Sequence, residues 1–124
     1  MPQGDAEKAL LNYVAALNAR DYPAAAELFA PDAKIWISGM EFEAAQLQAM
    51  LEAIPGLFAT GPRLDVFNSF GETNRAVAEM DVSGRTQNGK EYRNRYVIVV
   101  DMVDGKVSRL SEYLDRGPLE TALS

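Results

Sequence analysis

The sequence predicts an α+β fold: three helices and a short strand, then a four-strand antiparallel meander. Three observations predict it. Apolar residues recur at helical spacing only up to about residue 54. From Arg63 onward every patterned segment reads as strand. Two dipeptides, Asn88-Gly89 and Asp104-Gly105, mark hairpin turns in that second half. The 124 residues suffice for one domain, 1–124, with a core of its own.

The elements follow in order. Asp5 is placed to cap a first helix whose apolar stripe is Leu10, Tyr13, Val14 and Leu17. Asp21 caps a second helix, with Pro23 tolerated in its first turn, Leu28 and Phe29 on its inner face, and Pro31 ending it. The segment 33–38 reads as a strand that Gly39 stops. A third helix spans about 43–53, with Leu47, Met50, Leu51 and Ile54 at helical spacing, and Pro55-Gly56 closes it. Strands are expected over 63–70, 74–86, 91–102 and 106–115.

The composition excludes several function classes. A net charge of −6 opposes binding to nucleic acid and to anionic membrane surfaces. Without cysteine there is no thiolate or disulfide chemistry, and without histidine there is no imidazole base or ligand. Carboxylates and tyrosines must carry any acid–base work, and no cofactor or metal is expected. The opening "MPQGDAEKAL" lacks a basic region and an apolar run, so the expectation is a cytoplasmic protein without a leader or membrane span.

Turn chemistry sets the strand registers. A two-residue turn at Asn88-Gly89 pairs Asp81 with Tyr96, Ser83 with Asn94 and Glu79 with Ile98. A two-residue loop at Asp104-Gly105 would set Glu112 against Val97 and Leu114 against Arg95. A three-residue loop at 103–105 pairs Leu110 with Ile98, Glu112 with Tyr96, Arg93 with Asp115 and Arg95 with Tyr113. Cross-strand pairs are worth about 0.2–1 kcal/mol each, and the three-residue loop gains an ion pair and a cation–aromatic contact. On this register Asp81, Tyr96 and Glu112 form one row across three strands, with Asn94 and Ser83 one step along and Ile98, Leu110 and Leu114 as apolar walls. Both faces carry charges, so the pattern alone leaves open whether this row is wet or enclosed. Trp36 faces away from Ile35 and Ile37, towards a rim or interface. Arg75 and Arg85 could neutralise the acids at the strand ends.

The order helix, helix, strand, helix and long meander ending "DGKVSRLSEYLD" resembles the nuclear-transport-factor-2-like superfamily. That resemblance covers nearly the whole chain. It implies a cone-shaped barrel, a curved antiparallel sheet wrapped around the three N-terminal helices. "YVAALNARDYPAAAELFAPDA" is similar to the first two helices of ketosteroid isomerase, with Tyr13 at its oxyanion-binding tyrosine and Ile37 at its catalytic base. The final hairpins resemble limonene-epoxide hydrolase. There Asp81 and Glu112 fall at the two aspartates of its triad, Glu79 at the arginine, and Ile35 and Ile37 at the residues that hold its water. The resemblance implies that these triad positions point into the cone. It also implies a relation to the small polyketide cyclases.

The expected function is therefore acid–base chemistry on a hydrophobic carbonyl compound: isomerisation, cyclisation or elimination. Glu112, Asp81 and Tyr96 are the expected catalytic residues. Tyr13, Asn94, Glu79, Ile37, Ile98, Leu110 and Leu114 are the expected substrate contacts. Glu112, flanked by Leu110 and Leu114, should hold its proton more tightly than Asp81. The alternatives are a non-catalytic binder of a small hydrophobic molecule, an epoxide-hydrolase-like enzyme with an altered triad, and a scaffold with a filled cone. An outer face bearing Val97, Val99, Met80 and Val82 implies a homodimer.

Overall fold

A computed structural model describes residues 4–124; residues 1–3, the start of the segment read for a leader, lie outside the described residues. The first helix, α1 (Asp5–Asn18), begins one residue earlier than expected, with Gly4 rather than Asp5 in the capping position. It buries Leu10, Tyr13 and Val14, and three alanines let it lie close to the sheet. It ends in a Schellman turn: Asp21 N–H donates to Ala16 O and Arg20 N–H to Leu17 O. Arg20 takes the left-handed conformation there, at φ 54°. Its guanidinium donates to the carbonyls of Phe58 and Gly61, which holds the turn against the sheet.

Helix α2 (Tyr22–Glu27) is capped by Asp21, whose side chain accepts from Ala24 N–H. It stops before Pro31, because Phe29 already opens strand β1 (Phe29–Ile37). Gly39 does not end the strand region. Ser38 and Gly39, at φ 45° and 95°, form a two-residue turn into a short strand β2 (Met40–Glu43). Helices α3 (Ala44–Glu52) and α4 (Ile54–Leu57) follow, and Gln46 accepts from Glu43 N–H at the start of α3.

Strands β3 (Phe58–Gly71), β4 (Arg75–Thr86), β5 (Glu91–Val103) and β6 (Lys106–Tyr113) make the meander. The six strands order as β2-β1-β6-β5-β4-β3 in one curved, unclosed sheet. The sheet is mixed rather than wholly antiparallel, since β1 runs parallel to β6. At the start of β3 the chain passes so close to β4 that a side chain at Gly61 would meet Ser83 O at 2.7 Å. The last strand ends at Tyr113, two residues short of expectation, and a fifth helix, α5 (Arg116–Leu123), which is not among the expected elements, follows it. Asp115 caps it by accepting from Gly117 N–H, so Asp115 does not pair with Arg93, which instead bonds Glu91.

Both hairpin registers differ from expectation. The β4–β5 loop has three residues, not two: Thr86 N–H donates to Lys90 O, and Gly89 sits left-handed at φ 84°. The buried Thr86 hydroxyl organises it, accepting from Lys90 N–H and bonding Asn88. A one-residue slip turns every side chain of a strand to the other face. Asp81 therefore pairs with Arg95, Ser83 with Arg93 and Glu79 with Val97, all on the outer face. Ala76, Ala78, Met80 and Val82 point inward and are buried. The expected register would have put Arg75, Glu79, Asp81 and Arg85 inside, a desolvation cost that the alternating apolar residues avoid.

The β5–β6 loop has two residues, not three, with Asp104 and Gly105 at φ 52° and 79°. Ser108 then adds one extra residue to β6, between the pairs Met102–Val107 and Asp101–Arg109. This bulge restores the parity that the shorter loop would have lost. Glu112 stays inward, opposite Ile98 rather than Tyr96, and Tyr113 faces outward opposite Val97 rather than Arg95.

Asn18 fastens the end of α1 to β3. Its Oδ1 accepts from Leu64 N–H at 2.8 Å and its Nδ2 donates to Leu64 O at 2.9 Å. Asn18→Ala leaves both groups of a buried residue without a partner, so we expect a loss of roughly 1–3 kcal/mol. Urea unfolding should show a lower midpoint at unchanged slope; an unchanged midpoint would show that this clasp contributes nothing.

Candidate functional site

The inward face of β5 presents Tyr92, Asn94, Tyr96, Ile98 and Val100, and the inward face of β6 presents Leu110 and Glu112. Ile37 of β1 is the neighbour of Glu112 on the other side. Together with α1, α3, α4 and the added α5, these strands surround a cavity of about 260 Å³. Glu112, Tyr96, Tyr13, Tyr22, Ile37 and Leu114 line it, and most of the remaining wall is aliphatic.

Glu112 is 8 % exposed. Among the described residues its carboxylate accepts no hydrogen bond and forms no ion pair, yet it is not sealed away from open space, so its oxygens open on the cavity. Burial pushes its pKa up to about 7 from the ordinary 4.5. Tyr13 and Tyr96 are raised far above the ordinary phenol value, first by burial and then by the charge of Glu112. Both phenols keep their protons at any working pH and can only lend them as hydrogen-bond donors.

A polar chain stands behind Tyr96. Its hydroxyl lies 2.8 Å from the hydroxyl of Tyr92, and Asn94 Nδ2 donates to Tyr92 Oη at 2.8 Å and to Asp115 O at 2.8 Å. Either hydroxyl of this pair can be the donor; when Tyr92 donates, the Tyr96 proton is left for the cavity. Tyr92 itself is raised mainly by burial.

The structure brings together Glu112, Tyr96, Tyr13, Ile37 and Leu114. Ile98 and Leu110 lie on the same face but are fully buried in the core, and Asn94 is half-buried behind Tyr92. Asp81 is not part of the site. It is exposed on the outer face and bonds Arg95 at 3.0 Å. Glu79 also points outward and accepts from Asn68 Nδ2. Arg75 bonds Asp101 and Arg85 donates to Gly89 O, so neither neutralises a cavity acid. The expected two-carboxylate pair is thus one carboxylate among phenols.

Sequence reasoning missed Tyr92 and the α5 wall of Leu119 and Leu123. Tyr92 is four residues from Tyr96 and so shares its face. Leu119, Ala122 and Leu123 stand at helical spacing after the capping Asp115. A wider groove of about 760 Å³ lies on the outer face, lined by Lys34, Trp36, Glu41, Arg109 and Tyr113. Its charged side chains are exposed and of both signs.

The family model described as SnoaL-like domain matches residues 10–110. No curated protein matches the chain significantly in sequence. Solved structures do. AclR of Streptomyces galilaeus, provisionally described as a hydroxylase, is 22 % identical with TM-score 0.82, covering 96 % of this chain and 95 % of its own. A Xanthomonas campestris protein, provisionally described as a polyketide cyclase, is 21 % identical with TM-score 0.85, covering 97 % of each chain. An NTF2-like protein of unknown function from Burkholderia pseudomallei is 16 % identical with TM-score 0.87, covering 98 % of this chain and 99 % of its own. At these identities the likeness shows a shared fold.

The raised pKa of Glu112 makes stability depend on pH. The native state holds this proton more tightly than the unfolded chain does. Below about 4.5 the carboxyl is protonated in both states and costs nothing. As pH rises through about 7 the native state loses stability, by up to roughly 3 kcal/mol. Glu112→Gln should melt with the parent near pH 4.5 and above it at pH 8. A variant less stable than the parent at pH 8 would mean that the carboxylate has a stabilising partner.

Proposed function

The chain belongs to the SnoaL-like domain family, and on that premise we propose that it is a cofactor-independent enzyme that moves a proton on a small apolar carbonyl compound. The observation that carries this reading is the lone buried carboxyl group of Glu112, opening on an apolar cavity with its pKa raised to about 7. Near neutral pH such a group is present in both forms, which suits a residue that must take a proton and return it.

The proposed step is proton abstraction next to the carbonyl. Ionised Glu112 takes the proton from the α-carbon, the C–H electron pair becomes the enolate, and negative charge appears on the carbonyl oxygen. The protons of Tyr96 and Tyr13 are placed to stabilise that charge. Protonated Glu112 then returns its proton to carbon or oxygen, which completes an isomerisation or sets up ring closure. Apolar walls keep water from competing. Asp81 has no part in this step.

Three outcomes test the reading by following α-proton exchange of a small ketone into deuterated water. The rate should rise with pH and level off above about 7, as Glu112 ionises. Glu112→Gln should lower it by about a hundredfold or more. Asp81→Asn, which disturbs only a pair of exposed side chains, should leave it unchanged. Undiminished exchange in Glu112→Gln would sink the proposal, and ligand binding without any exchange would make the protein a binder.

We also propose a homodimer through the outer sheet face. Met80 and Val82 no longer contribute to that face, but Val77 stands beside Val99, and Val97 beside Tyr113, whose ring packs at a tilt on Trp36. These are apolar side chains left partly exposed on a sheet surface. Sedimentation at micromolar concentration should give a dimer, and Val97→Lys should shift it to monomer. A parent protein that sediments as monomer refutes the interface.

A further inference from the structure

We infer that the ligand of the inner cavity is a neutral molecule of one or two fused rings, with an oxygen acceptor at one end and no charge. The inference rests on the proposed reading of this cavity and narrows its substrate class. Size comes first. An apolar cavity of about 150 Å³ holds one benzene ring, and the 260 Å³ here gives room for a second ring but not for an extended polycycle.

The rim fixes that limit. Leu57 and Leu123 both line the cavity and remain 46 % and 38 % exposed, so the mouth lies between α4 and α5. Helix α5 is tied at both ends. Asn94 Nδ2 donates to Asp115 O at its start. At its end, Lys90 Nζ and Asn88 Nδ2 donate to Ser124 O at 2.7 and 2.9 Å. These bonds hold the α5 wall of the cavity in place.

Charge and polarity set the rest. Glu112 is the one charged residue among those lining the cavity. An anionic ligand would meet no cation and would face an ionised carboxylate above pH 7. A cation could pair with that carboxylate, but an ammonium offers no acceptor to the Tyr13 and Tyr96 hydroxyls. A carbonyl or hydroxyl oxygen satisfies them. Elsewhere the wall consists largely of side chains such as Leu17, Met50, Ile54, Leu64 and Leu119, which match hydrocarbon.

Four probes test the size and charge limits at pH 8 by calorimetric or NMR titration. These are 2-tetralone (two rings, neutral ketone), anthrone (three rings, neutral ketone), 2-naphthoate (two rings, anion) and 2-aminotetralin (two rings, cation). The expected result is that 2-tetralone binds at least tenfold more tightly than each of the others. Leu119→Trp, which fills the cavity from the surface helix, should abolish its binding. The inference is overturned if 2-tetralone does not bind, if any other probe binds as tightly, or if the Leu119→Trp protein still binds it. Exchange of the 2-tetralone α-protons, followed in the same samples, separates the two claims. The expected order of binding without exchange supports the ligand class and refutes catalysis.

Discussion

Parity along strand β6 is the constraint on which the site depends. The tight turn at Asp104-Gly105, run straight into an unbroken ladder, would send Glu112 to the outer surface and bring its neighbours inward. The extra residue at Ser108 reverses that, and the Ser108 hydroxyl donates to Asp101 O across the bulge. From there on Leu110 and Glu112 face the helices, while Arg109 and Tyr113 face outward. The burial of the carboxylate, its raised pKa and its position beside Ile37 all follow from this one inserted residue. Removing it would preserve the composition of the strand and exchange its faces.

The fold was legible to the extent that local pattern and turn chemistry report on it. The apolar stripe Leu10-Tyr13-Val14 and the capping Asp21 place the first two helices, and the glycine turns place the long hairpins. Register was not legible from turn dipeptides alone. Asn88-Gly89 reads as a two-residue turn, but the Thr86 hydroxyl binds Lys90 N–H and stabilises a loop one residue longer. The information was present elsewhere, in the alternation of Ala76, Ala78, Met80 and Val82 with charged residues, which assigns the inner face of β4 without reference to any turn. The inward position of Glu112 was inferred through a loop length that the structure does not have, and it stands because the bulge compensates. A bulge of this kind leaves little trace in sequence, since Ser108 is unremarkable in a strand.

Family membership and site chemistry have separate origins here. The family match ends at residue 110, before Glu112 and before α5, which supplies one wall of the cavity. The shared part of the chain builds a curved sheet facing helices, and that architecture holds many chemistries. The site chemistry rests on the side chains that line the cavity: a single carboxyl group, the phenols Tyr13, Tyr22 and Tyr96, and aliphatic residues such as Ile37. Losing a second carboxylate from the cavity changes how the pKa of Glu112 is raised. The cause is desolvation alone, with no like-charged neighbour. A group raised by burial responds to whatever enters the cavity, because a ligand that displaces water raises it further and one that donates hydrogen bonds lowers it.

The phenols bind these properties together. Tyr96 and Tyr13 line the same cavity as Glu112, and burial first, then the charge of Glu112, holds both phenols protonated. In the proposed reaction the negative charge leaves Glu112 at the moment it appears on the ligand oxygen. The cavity carries one negative charge before and after the step, so no charge has to be newly desolvated. The phenol protons need only follow that charge over a short distance. The chain from Asn94 through Tyr92 supports this by holding the Tyr96 oxygen in place from behind, so its hydroxyl turns without the ring moving. Because Asn94 also bonds the backbone at the start of α5, one amide joins the helix that lines the mouth of the cavity to the Tyr92–Tyr96 pair behind it.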